Sequence, residues 1–144
     1  MSSPFIHRNL PRLLLQARES VMTHTRPDLR AHGLSDQQWR VLRVLGAHGV
    51  LETGRVAREA FILGPSLTGV LNRMERDGLI CRERDSADRR STVVALTVQG
   101  RNTVEKLSHL IEAHYVFIEA TLGKQKLAQL YALLDDVIEL ERSA

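Results

Sequence analysis

A short helix and a longer one meeting across a tight turn, a polar hairpin directly after them, and amphipathic helical stretches at both ends of the 144 residues predict the fold class. It is mainly α: a winged helix–turn–helix flanked by long N- and C-terminal helices. Leu10, Leu14, Ala17 and Val21 recur at helical spacing, so the first helix is expected from Leu10 to about Arg30, with HGLS after Pro27 as its stop. In LSDQQW, Ser35 is a natural N-cap and Gln38, three residues on, completes a capping box. Leu34 and Trp39 take the two positions of a hydrophobic staple, and the helix continues through Val41, Leu42 and Leu45 to Gly46–Gly49. A short helix from Thr53 to Phe61 follows, with Val56, Ala57 and Ala60 as its apolar face.

GPSLTGVLNRMERDGLI carries the next helix. Pro65 stands in the first helical position, where its missing N–H costs nothing, and Gly78 stands where a left-handed C-terminal residue belongs. On a helical wheel Leu67, Val70, Leu71 and Met74 form the core face. The opposite face collects Thr68, Gly69, Asn72, Arg73 and Arg76, with Ser66 at the exposed N-terminal end. Such side chains read base edges and phosphates in the major groove. Gly69 costs roughly 1 kcal/mol against alanine inside a helix, and at the centre of this face it permits close backbone approach. LICRER and STVVALT predict two strands joined by DSADRR, whose Arg89 and Arg90 sit at a tip where arginine can enter a narrow minor groove. Thr97 starts a long helix marked by Val104, Leu107, Ile111, Tyr115, Ile118 and Leu122; Gly123 breaks it, and a last helix carries Leu127, Leu130, Leu134, Val137 and Ile138.

A formal charge of +3 does not by itself demand a nucleic-acid partner. Its distribution says more, because residues 1–43 carry seven arginines against three acids and every Lys or Arg before Lys106 is an arginine. Arginine forks match phosphates and guanine edges in a way lysine cannot. The lone Cys81 excludes an internal disulfide and is expected as a packed strand thiol. No apolar run approaches the ~20 residues that span a bilayer, and the N-terminus is too interrupted for a secretory signal, so a cytoplasmic protein without a membrane partner is expected. The scattered histidines offer no zinc spacing, and Asp135 and Asp136 diverge on their helix. Without a phosphate-cradling glycine loop or a nucleophile elbow, neither an enzyme nor a cofactor is expected.

SDQQWRVLRVL, SLTGVLNRMERDGLI, the DSADRRS turn and the LTVQG helix start resemble the MarR family of transcriptional regulators over nearly the whole chain. LLLQARES, QQWRVLRVL and ILGPSLTGVLNRMERDGLI are most similar to its regulators of homoprotocatechuate (4-hydroxyphenylacetate) degradation operons. The resemblance implies an obligate homodimer in which first, fifth and sixth helices interlock, presenting two lobes to a palindromic double-stranded operator. Residues 1–144 would then be one domain, with a DNA-binding lobe at 33–97 and dimerisation helices at 8–32 and 98–142. The family's wing motif falls on Asp88 and Arg90, the arginine entering the minor groove and the aspartate bracing the wing. One departure is Gly64, where such relatives tend to carry a basic residue.

The resemblance further implies a repressor of aromatic-acid catabolism, relieved when a small aromatic acid binds between the dimerisation helices and the lobe. A carboxylate in a partly apolar pocket needs a paired cation. Arg18 with His24 is the expected pairing, and Trp39 and Arg40 on the facing helix would add a ring contact and a second donor. Two alternatives stay open: a winged-helix protein-interaction module, and a redox or metal sensor acting through Cys81 or the histidines. An interaction helix would carry exposed apolar anchors where this one carries Gly69 and arginines.

Overall fold

The computed structural model describes residues 3–84, 87 and 91–143. Asn9 opens α1 (Leu10–Met22) by accepting from the Arg12 N–H at 3.1 Å, and the chain restarts as α2 (Thr25–Ala31). The single helix expected from Leu10 to about Arg30 is therefore two. Pro27 accounts for the break: it has no N–H for the Thr23 carbonyl four residues back, and its ring crowds that carbonyl. In the first turn of a new helix neither defect matters.

The capping box forms as expected, Ser35 and Gln38 each accepting from the other's backbone N–H at the start of α3 (Asp36–His48). Both staple residues, Leu34 and Trp39, are buried. Two residues pair as β1 (Leu51–Glu52) before α4 (Thr53–Ala60), and α5 (Gly64–Arg76) follows. Gly78 adopts the expected left-handed backbone, φ +79°. The hairpin is β2 (Ile80–Arg84) and β3 (Thr92–Leu96), with Ile80 opposite Leu96 and Arg84 opposite Thr92. It belongs to a three-stranded antiparallel sheet in the order β1-β3-β2, because Leu51 pairs with Val94. A two-residue strand is too short for alternation to reveal, so the sequence reading missed it.

The core lies where α3, α4 and α5 meet the sheet and the first half of α6 (Val98–Leu122); Leu42, Val56, Val70, Met74, Val94 and Leu107 are all fully buried there. After Gly123 come α7 (Lys124–Ile138) and α8 (Leu140–Ser143). Neither α1 nor α7 buries a single residue within one chain. Leu10, Leu14 and Val21 on α1 and Leu130, Leu133 and Ile138 on α7 stay open to solvent. No helix among the described residues is long and apolar enough to cross a membrane.

The join between lobe and α6 is tight. Thr97 caps α6 by accepting from the Gly100 N–H at 3.0 Å, and its hydroxyl donates to the Gly78 carbonyl at 2.6 Å. A Cβ on Gly100 would stand 2.1 Å from the Leu79 carbonyl oxygen, so only glycine lets this turn lie against the strand start. Gly100→Ala should destabilise the fold by about 3 kcal/mol, at the upper end of overpacking costs, because the obstacle is backbone. Urea unfolding checks this; an unchanged midpoint would mean that α6 is free to slide.

Candidate nucleic-acid interface and adjoining cavity

The structure places each α5 residue where the wheel put it. Leu67, Val70, Leu71 and Met74 are buried, while Ser66, Thr68, Asn72, Arg73 and Arg76 are exposed and Gly69 is half-buried between them. The two faces have different causes. The apolar face is fixed by the core, whereas the polar face meets little of the chain. Arg73 folds back along it, its Nη1 3.5 Å from where a Cβ on Gly69 would lie, and Arg76 pairs with Asp77 at 3.2 Å. Ahead of the helix, Phe61 takes a left-handed backbone (φ +54°), and Phe61 and Leu63 are exposed apolar residues of the turn. Arg40 closes the end of α4 from the side, donating to the carbonyls of Ala60 at 3.2 Å and Phe61 at 2.9 Å.

The hairpin stands beside α5, but its tip residues Asp88, Arg89 and Arg90 lie outside the described residues. One residue of the hairpin was missed by the sequence reading. Arg82 of β2 reaches α5, donating from Nη2 to Asn72 Oδ1 at 2.7 Å and to Glu75 Oε1 at 2.9 Å. Strand alternation held the signal: Arg82 shares parity with buried Ile80 and lies opposite buried Val94, and a charge on the core-facing side of a strand needs a partner. The Arg82 hydrogen bond holds the Glu75 carboxyl below its ordinary value of 4.5. This contact therefore stabilises the fold at neutral pH and is lost as pH falls through that lowered value. Cys81, between these residues in β2, points the other way. It is exposed, with Sγ 3.7 Å from the Ala95 carbonyl, and not the packed thiol expected.

Of the four residues expected to bind an acid, Arg18 and Arg40 meet at Asp36, His24 packs on His114, and Trp39 lines a cavity. Arg18 pairs with Asp36 at 2.7 Å, and Arg40 approaches the same carboxylate at 3.7 Å while holding the α4 carbonyls. His24, at the break between α1 and α2, stacks on His114 with ring centroids 5.7 Å apart and meets the edge of Phe117 at 5.5 Å. His114 in turn contacts Asp28 at 2.7 Å. Trp39 lines a cavity of about 50 Å³ between the α1–α2 break, α3 and α6. Its other walls include Met22, Ile111, His114 and two residues the sequence reading did not single out for binding: Arg43 and Tyr115. Arg43 donates to the Tyr115 hydroxyl at 3.2 Å and lies 5.7 Å from the ring centre. Both also line an open cleft of about 420 Å³ running toward Tyr131 of α7, so they form the partition between the two spaces.

Comparison with known proteins gives this geometry a context. A sequence model of the MarR family matches residues 32–91. The chain is 41% identical over 138 residues to the homoprotocatechuate degradative operon repressor of Escherichia coli, covering 96% of this chain and 93% of that protein. The structure of NadR in complex with 4-hydroxyphenylacetate superposes with a TM-score of 0.84 at 38% identity, over 95% of this chain and 97% of that one. The transcriptional repressor CouR, bound to a 23-mer DNA duplex, superposes with a TM-score of 0.82 at 27% identity, over 90% and 92% of the two chains.

Proposed function

The chain belongs to the MarR family, and we propose that it is a homodimeric repressor that holds a palindromic operator until a small aromatic acid releases it. The observation that carries this reading is Gly69. A Cβ there would meet nothing nearer than the Arg73 guanidinium at 3.5 Å, an ordinary contact, so nothing inside the chain requires glycine. The close approach that glycine permits is then an approach from outside, by DNA. Ser66, Thr68, Asn72, Arg73 and Arg76 accompany it into the major groove, and the resemblance of DSADRRS to the family's wing assigns Asp88, Arg89 and Arg90 to the minor-groove contact. The unburied apolar stripes of α1 and α7 support a second copy as their cover. Residues 33–97 then form the DNA-binding lobe, and 8–32 with 98–142 the dimerisation helices.

Gly69→Ala tests this directly. The substitution should stabilise the free protein by up to ~1 kcal/mol through helix propensity, yet weaken binding to a selected operator roughly tenfold or more, about 1.4 kcal/mol. Thermal unfolding and fluorescence anisotropy on one preparation measure both. A more stable variant with unchanged DNA affinity would remove the backbone approach from the mechanism.

The effector reading follows from the size of the cavity. At about 50 Å³ it has room for a few water molecules but not for an aromatic ring. An aromatic acid enters only if the Arg43–Tyr115 partition opens and α3 parts from α6. Arginine is the cation that stays charged when desolvated, and Arg43 is the one best placed for the carboxylate, with Trp39 against the ring. Arg18 reaches the acid only by leaving Asp36, Arg40 flanks the same aspartate, and His24 backs His114. Arg43→Ala should leave operator affinity near wild type but abolish release by 4-hydroxyphenylacetate. Arg18→Ala should keep both, since it breaks an exposed ion pair of small worth. Operator affinity with and without the acid, at one fixed salt concentration, separates the two; release retained in Arg43→Ala and lost in Arg18→Ala would move the carboxylate site to Arg18.

A further inference from the structure

We propose that Arg82 sets the base preference of the reading helix from behind, by fixing the Asn72 amide so that it offers the DNA donors only. This rests on the DNA-reading role of α5 and goes beyond it. Arg82 Nη2 lies 2.7 Å from Asn72 Oδ1 and 2.9 Å from Glu75 Oε1, and its side chain is only 24% exposed. A guanidinium has donors and no acceptor, so the amide atom facing it is the oxygen whichever way the amide was first drawn. Glu75, one turn further along the same helix, anchors the guanidinium by a charge-assisted bond and holds it in place beside Asn72.

The consequence lies in the chemistry of base edges. An unrestrained asparagine pairs bidentately with adenine, donating to N7 and accepting from N6. Asn72 has its oxygen turned to Arg82 of β2, which takes one of its two lone pairs, and its Nδ2 on the diverging branch, so bidentate pairing with adenine requires the amide to turn away from Arg82. Two N–H donors match edges that present acceptors: N7 and O6 of guanine, or O4 of thymine. Arg82 is thus a positioning residue, acting on the base through Asn72 without touching it.

The test is enrichment of operators from randomised duplexes, followed by measured affinities for single-base variants. Asn72→Ala identifies the base pair that Asn72 reads. At that pair the wild-type protein should prefer guanine or thymine over adenine by roughly tenfold. Arg82→Lys keeps the charge, but its ammonium settles on Glu75 and releases Asn72. Adenine should then gain roughly tenfold while the salt dependence of binding stays the same. Arg82→Met should give the same gain, and the double variant with Asn72→Ala should show no preference at the pair. If Arg82→Met unfolds, the lysine variant alone decides.

Several results would overturn the proposal. One is a uniform loss across all sequences with a shallower salt slope in Arg82→Met, which marks a phosphate contact. A second is loss of affinity without adenine gain in both Arg82 variants, which marks a purely structural strut. Wild-type preference for adenine at the pair, or no base pair altered by Asn72→Ala, would also sink it. If the wild-type protein enriches no sequence at all, the DNA-reading role of α5 fails first, and that outcome is distinct from the others.

Discussion

One helix carries both halves of this molecule. Across its 25 residues, roughly 38 Å at 1.5 Å per residue, α6 begins wedged against the Leu79 carbonyl at Gly100 and is pinned in the lobe by Leu107 and Ile111. Beyond them Val116, Phe117 and Leu122 emerge into solvent, where α7 joins. The cavity sits at the changeover, between Ile111 and Ile118. A helix continuous through that point cannot move at the cavity and stay still at the lobe.

This continuity gives ligand release a physical route. On the mechanism proposed above, opening the Arg43–Tyr115 contact would tilt α6 against α3, and α3 shares core residues with α5. A second tie crosses the same region. Arg18 of α1 holds Asp36 of α3, while Arg40, one turn along, holds the last carbonyls of α4. Neither tie is strong alone, since exposed ion pairs contribute only ~0–1 kcal/mol. Ties this weak do not fix where the lobe rests. A ligand shifts that position only by its differential affinity for the two arrangements.

What was legible in the sequence was local. Ser35 and Gln38 cap a helix from within four residues, Gly78 needs only its own backbone, and the α5 stripe is a matter of period. These survive folding because no distant contact competes with them. The rest needed the third dimension. Pro27 reads equally as a residue near a helix end or as the start of a new helix, and only the break at Thr23 decides. Leu51 and Glu52 become a strand because Val94 lies opposite. Arg18 finds Asp36 eighteen residues away, and that contact engages the guanidinium expected for a ligand. Arg43 looks like one more surface arginine until Tyr115, seventy-two residues on, is seen beside it. Arg82 was the exception, since strand parity alone marked it as a charge facing inward.

On this mechanism the cavity and the DNA-reading face share one structural equilibrium through α6. Calorimetric titration of 4-hydroxyphenylacetate into the free protein, and into protein saturated with its operator, tests it most directly. Binding to the operator complex should be weaker, by the same factor by which the acid weakens operator binding, because coupling between two sites is reciprocal. Equal affinity of the acid for free and operator-bound protein would contradict it.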